Sequence, residues 1–155
     1  MLKTVSNTTP IISLLKISKL NILQEMYGEI YVPEAVYKEV ESGKNKDYYC
    51  DLKRTDWIKI KAIKDKKDLN RFIDLDQGEA EAIILSTELN AGLLIIDEKP
   101  GRLHAKHIGL NITGTIGVLL KAKSIGIIEA IKPYNFRASK SGRLAWGKDS
   151  EGNIK

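Results

Sequence analysis

The run Leu93-Leu94-Ile95-Ile96 is apolar at every position and stops at Asp97. Four residues are too few for a helix, and a half-exposed strand alternates apolar with polar. An unbroken run this short reads as a strand covered on both faces, the condition of a parallel sheet lying between helices. The rest of the chain repeats the theme. Val5 begins a short extended segment, and Thr8 or Thr9 is placed to cap a helix with Pro10 at its first position, followed by Ile11, Ile12, Leu14, Leu15 and Ile17. Ile30-Tyr31-Val32 is a second buried strand. Pro33 opens the next helix, where Val36 and Val40 lie one turn apart. Trp57 to Ala62 alternates apolar with basic, as a half-exposed strand does. Asp76-Gln77-Gly78 starts an apolar helix running through Leu85, with Gly92 as its stop. A helix through Leu103 and Ala105, a short strand at Ile112 and a helix over Gly114 to Lys123 complete the order. Strands alternating with helices predict a three-layer α/β/α fold around a central, mainly parallel sheet. The 155 residues suit one domain. Apolar density falls after Pro133, so residues 1–133 are expected to form the domain and 134–155 a loosely held polar tail.

Several function classes drop out on composition. No charged n-region leads into a long apolar segment, and no apolar run is long enough to span a bilayer. A single cysteine, Cys50, cannot form an internal disulfide, which fits a reducing cytoplasm. Net charge is +5, from 25 Lys and Arg against 20 Asp and Glu, so a polyanionic partner is admissible without being required. The distribution says more. Lys59, Lys61, Lys64, Lys66 and Lys67 cluster, as do Lys99, Arg102, His104, Lys106 and His107, while several acids sit inside apolar segments.

In an open parallel sheet, ligands bind beyond the C-terminal ends of the strands. Asn7 follows the first strand and Asp97 follows the Leu93–Ile96 strand. Glu39 lies near the end of the Pro33 helix, and Glu79 in the first turn of its own. All four are oxygen donors with no cysteine or histidine at zinc spacing, which favours Mg²⁺ or Mn²⁺. Clustered carboxylates repel one another, and a divalent ion relieves the repulsion. Each residue also has a plainer use. Glu79 suits a helix dipole, Glu39 a solvated helix end, and Asn7 a helix cap. Glu81 is two residues from Glu79, about 200° around the helix, and reads as a surface charge or a supporting group. His104 and His107 are expected to be exposed or RNA-facing, since two histidines make a poor zinc site.

Five stretches in order carry a resemblance: Val5-Ser6-Asn7-Thr8-Thr9-Pro10-Ile11, Val32-Pro33-Glu34-Ala35-Val36 with Glu39-Val40, Gly78-Glu79-Ala80-Glu81-Ala82-Ile83, Ile96-Asp97-Glu98, and Gly114-Thr115-Ile116-Gly117-Val118-Leu119-Leu120 with Ala122-Lys123. Together they resemble the PIN-domain nucleases, which include the VapC toxins, and within them a branch described as predicted nucleic-acid-binding PIN proteins. The resemblance implies an acidic pocket for one or two Mg²⁺ or Mn²⁺ ions and hydrolysis of RNA that leaves 5′-phosphate and 3′-hydroxyl ends. By position it implies Asn7, Glu39, Glu79 and Asp97 as metal-binding and catalytic residues. It assigns Thr8 to a phosphate or a bound water, and leaves Glu98 and Glu81 as less secure members. Arg102, little more than a turn after Asp97, is the basic residue expected to touch RNA. The resemblance further implies an antitoxin protein as partner and a homodimer, with the apolar C-terminal helices as its interface. Asn7 is the departure, since the pattern usually has Asp there and an amide brings neither charge nor basicity. It keeps a second reading open, a weak or inactive module that only binds nucleic acid or protein.

Overall fold

The structure, a computed structural model, describes residues 2–129 and the two short strands 136–138 and 144–146. Five strands form one parallel sheet: β1 (Thr4–Ser6), β2 (Ile30–Pro33), β3 (Ile58–Lys61), β4 (Leu93–Ile95) and β5 (Ile112–Thr113), in the order β3-β2-β1-β4-β5. The helices are α1 (Thr8–Lys16), α2 (Asn21–Tyr27), α3 (Glu34–Glu41), α4 (Gln77–Glu88), α5 (Lys99–His107) and α6 (Thr115–Ser124). Strands β6 (Phe136–Ala138) and β7 (Leu144–Trp146) pair antiparallel with each other. The expected tail from residue 134 otherwise lies outside the described residues.

The all-apolar β4 run is explained by the two layers it feeds. Ile95 joins a core made with Ile11 and Leu14 of α1, Val36 and Val40 of α3, and Val118 and Leu119 of α6. Leu94 and Ile96 face the other way, into Ala82, Ile83 and Leu85 of α4 and Ala105 of α5. Successive strand residues point to opposite faces, so a strand clothed on both sides needs no polar position. This is the three-layer α/β/α arrangement expected from the sequence. β3 is an edge strand, which accounts for its alternating lysines: Ile58 is buried while Lys61 is exposed.

Two local expectations are revised, and one left open is decided. Asn7, not Thr8 or Thr9, occupies the N-cap of α1, so Pro10 falls inside the first turn. α4 stops at Glu88, ahead of the expected stop at Gly92, and Asn90, with a φ of 51°, makes the left-handed turn that follows it. Glu81, open between a surface charge and a supporting group, is buried and takes the supporting role. Its two oxygens accept from the Ala35 backbone N–H at 3.2 Å and from Gln77 Nε2 at 2.8 Å, capping the start of α3 from α4.

Candidate metal centre

The chain runs outward from β1 to β2 and β3 on one side, and to β4 and β5 on the other. Between β1 and β4 the direction of winding reverses, which opens a crevice above their C-terminal ends. Asn7 leaves β1 at that point, and its N–H donates to Ile95 O across the crevice at 2.9 Å. The side chain does not cap α1, although the residue sits at the cap. Its Oδ1 is buried without a hydrogen-bond partner, and so is the neighbouring Thr8 Oγ1. A buried carbonyl oxygen left unsatisfied costs free energy unless something outside the polypeptide meets it.

Gly78, in the first turn of α4, is where the helices converge. A β-carbon there would collide with Glu39 Oε1 and lie 3.4 Å from Asn7 Oδ1. Asn7 and Glu39, more than thirty positions apart in the chain, therefore approach the same bare α-carbon. Next to it, Asp76 caps α4 by accepting from the Glu79 N–H at 2.8 Å. Oxygens of Asp76, Glu79 and Glu98 all lie within 4.8 Å of one another. Glu79 is 3% exposed and its Oε2 is another buried atom without a partner. A β-carbon at Gly101 would be 2.7 Å from that oxygen, so glycine there leaves room for the carboxyl. Burial pushes the Glu79 carboxyl up to about 9, and the adjoining Glu98 and Asp76 carboxyls push the same way. Thr9 Oγ1 reaches Glu98 Oε1 at 3.4 Å.

Asp97 is held by the start of α6. It accepts from the Thr115 N–H at 2.7 Å and from Thr115 Oγ1 at 2.5 Å, which fastens the end of β4 to the start of α6. Burial raises its pKa, while the two Thr115 bonds and Arg102 pull the other way. Arg102 donates from Nη1 to Ile96 O at 3.0 Å and lines a hollow of about 390 Å³ with Asp97, Gly114 and Gly117. His104 pairs with Asp74, Nε2 to Oδ2 at 2.9 Å, and meets the edge of Phe72.

The structure thus gathers Asn7 and Glu39 at Gly78, and Glu79 with Asp76 and Glu98, while Asp97 stands beside Glu98 and is held by Thr115. The reading from sequence passed over Asp76, using it only as a helix start. Its signal was an acid three residues before Glu79, where a cap and a first-turn acid share one helix end. Hard oxygen donors with three unsatisfied buried atoms and one proton-holding carboxyl fit a Mg²⁺ or Mn²⁺ ion in kind.

A family model described as "PIN domain" matches residues 3–142. The chain belongs to the PIN-domain family. The PIN fold is a nuclease-type fold, and PIN nucleases typically use divalent metals, which agrees with the donor set. Among solved structures, a PilT N-terminus domain protein, SSO1118, from the hyperthermophilic archaeon Sulfolobus solfataricus P2 is similar with a TM-score of 0.60 and 24% identity. The match covers 78% of this chain and 93% of that one, and it bears on the fold. No curated protein matches this PIN-domain chain. No helix among the described residues is long and apolar enough to cross a membrane.

Proposed function

We propose that this PIN-domain protein is a Mg²⁺- or Mn²⁺-dependent endoribonuclease, the toxin of a toxin–antitoxin pair, with Asn7, Glu39, Asp76, Glu79, Asp97 and Glu98 around the ion and Thr115 bracing Asp97. The observation that carries the reading is the pair of orphaned oxygens, Asn7 Oδ1 and Glu79 Oε2, buried among acids at the switch point of the sheet. The chemistry an ion supplies there when bound is polarisation of a phosphoryl oxygen and a lowered pKa of water.

The polypeptide's share follows from its own groups. Glu79 holds a proton at neutral pH until a cation displaces it, so the cluster avoids stacking full negative charges in a buried space. Glu98 keeps its place through Thr9, and Asp76 through the helix end it caps. Asp97 holds β4 and α6 together, so the crevice keeps its width as substrate enters. Asn7 contributes an oxygen but no charge, which lowers the negative count and with it the affinity for the ion.

That missing charge favours a second reading, a module that binds nucleic acid or protein without cutting. Mixed-sequence RNA incubated with Mg²⁺ or Mn²⁺ separates the two. Cleavage is expected in the wild type, abolished by chelation and reduced at least a hundredfold in Asp97→Asn. Uncut RNA in every sample would discard the enzyme. Exposed Leu120 and Ile125, at 55% and 56%, support a homodimer through α6; a monomer by sedimentation at high concentration removes that part. The antitoxin rests on the family, and cell growth unaffected by expression of the chain would remove it.

A further inference from the structure

Helix α5 starts two residues after Asp97, and Lys99, Arg102, Leu103 and Lys106 follow at positions i, i+3, i+4 and i+7. That spacing puts all four on one face, about 10 Å from end to end. Together with Asp97 they line a single hollow of about 320 Å³, within the range that binds a small ligand. Lys99 and Lys106 are exposed and make no ion pair among the described residues. Leu103 is 59% exposed between them, an apolar side chain left uncovered among the described residues. Arg102 joins this hollow to the one beside Gly114, because it lines both. The other lysine cluster is differently placed. Lys59 pairs with Glu29, and Lys59 and Lys61 belong to the sheet edge that such residues commonly guard.

We infer that this face of α5 is a docking track for single-stranded RNA, with phosphates on Lys99, Arg102 and Lys106 and a base or ribose on Leu103, leading toward Asp97 and the acids. The inference rests on the nuclease reading for its purpose and on charge complementarity for its occupant. Three cations around an apolar side chain suit a polyanion that also carries flat rings. The strand is single because the acids lie deep: Glu79 is 3%, Asp97 6% and Glu98 9% exposed. A rigid duplex cannot bend one backbone into a crevice of that depth, whereas a single strand can.

Fluorescence anisotropy of a labelled single-stranded RNA of mixed sequence, measured on the full chain in EDTA, tests the track without any ion. The double variant Lys99→Ala/Lys106→Ala is expected to bind at least tenfold more weakly. Its slope of log affinity against log salt should fall by about 1.4, at about 0.7 for each single-strand phosphate contact. Leu103→Ser is expected to weaken binding severalfold with the slope unchanged, while Lys59→Ala/Lys61→Ala stays within twofold of wild type. Wild-type binding by the α5 double variant overturns the track, as does an equal loss in the β3 variant, tighter binding of a matching duplex, or capture of a protein by the stripe in place of RNA. The nuclease reading fails separately. Uncut RNA with intact binding removes the enzyme and leaves the track, whereas full cleavage by an α5 variant that binds normally removes the track and leaves the enzyme.

Discussion

At the scale of single residues, Asn7 is the most informative side chain, because it holds a capping position without capping. Among the described residues its oxygen has no hydrogen-bond partner. Replacing it with aspartate adds a carboxylate to a buried acidic group. Asn7→Asp is therefore expected to bind Mn²⁺ roughly tenfold more tightly by calorimetry, about 1.4 kcal/mol. Without the ion it should melt at a lower temperature, since the added charge meets Glu39 at Gly78. An unchanged affinity would place the amide outside the coordination shell. Asp97→Asn is a clean partner to this experiment. The new amide oxygen still accepts from the Thr115 N–H, and Thr115 Oγ1 switches from donor to acceptor for the new NH₂. The fold should survive, and loss of cleavage then reports on charge.

At the scale of elements, the site depends on how α3 is seated, because α3 carries Glu39. Its first turn is held by Glu81 from α4 through the Ala35 N–H. Glu81→Ala leaves that buried donor unmet and is expected to cost about 1–3 kcal/mol in urea unfolding, with weaker ion binding as Glu39 loosens. Glu81→Gln keeps an acceptor for Ala35, and Gln77 can turn its own amide to match, so its loss should be much smaller. Equal losses in both variants would mean that the charge of Glu81, rather than its cap, is what α3 needs. This arrangement was not legible in the sequence. A glutamate two residues from Glu79 points away from it, and periodicity alone cannot distinguish a helix face turned to solvent from one turned to a neighbouring helix end. The same blindness hid Asp76. The helix start was readable, but its proximity to Glu98 comes from the start of α5, where Glu98 sits at the N-cap, packing against α4.

At the scale of the molecule, the acids make stability and ion binding respond to pH in opposite directions. In the ion-free protein Glu79 keeps its proton up to about 9, while the same carboxyl in the unfolded chain loses it near its ordinary 4.5. The folded state then binds more protons between those values, so this contribution is fully present below the lower one and is lost as pH rises through the higher. Asp97, raised by burial, acts in the same sense. In EDTA the melting temperature should fall from pH 6 to pH 8.5. With saturating Mn²⁺ the fall should vanish or reverse, because the ion displaces the proton and is bound more tightly at high pH. A flat profile in EDTA would show Glu79 to be ionised and the cluster to be relieved in some other way.

The unbroken β4 run, the helix-spaced apolar residues around it and the order of strands and helices determined the layered parallel fold, because burial on two faces can be read from local composition. The acids at strand ends and helix starts were legible as candidates for the same reason. Tertiary structure alone decided their grouping: that Gly78 receives both Asn7 and Glu39, that Asp76 joins Glu79 and Glu98, and that Asp97 is spoken for by Thr115. Those outcomes depend on how helices from separate parts of the chain cross above one sheet edge. Side-chain proximity across such crossings follows from packing angles and distances that no local pattern of residues encodes.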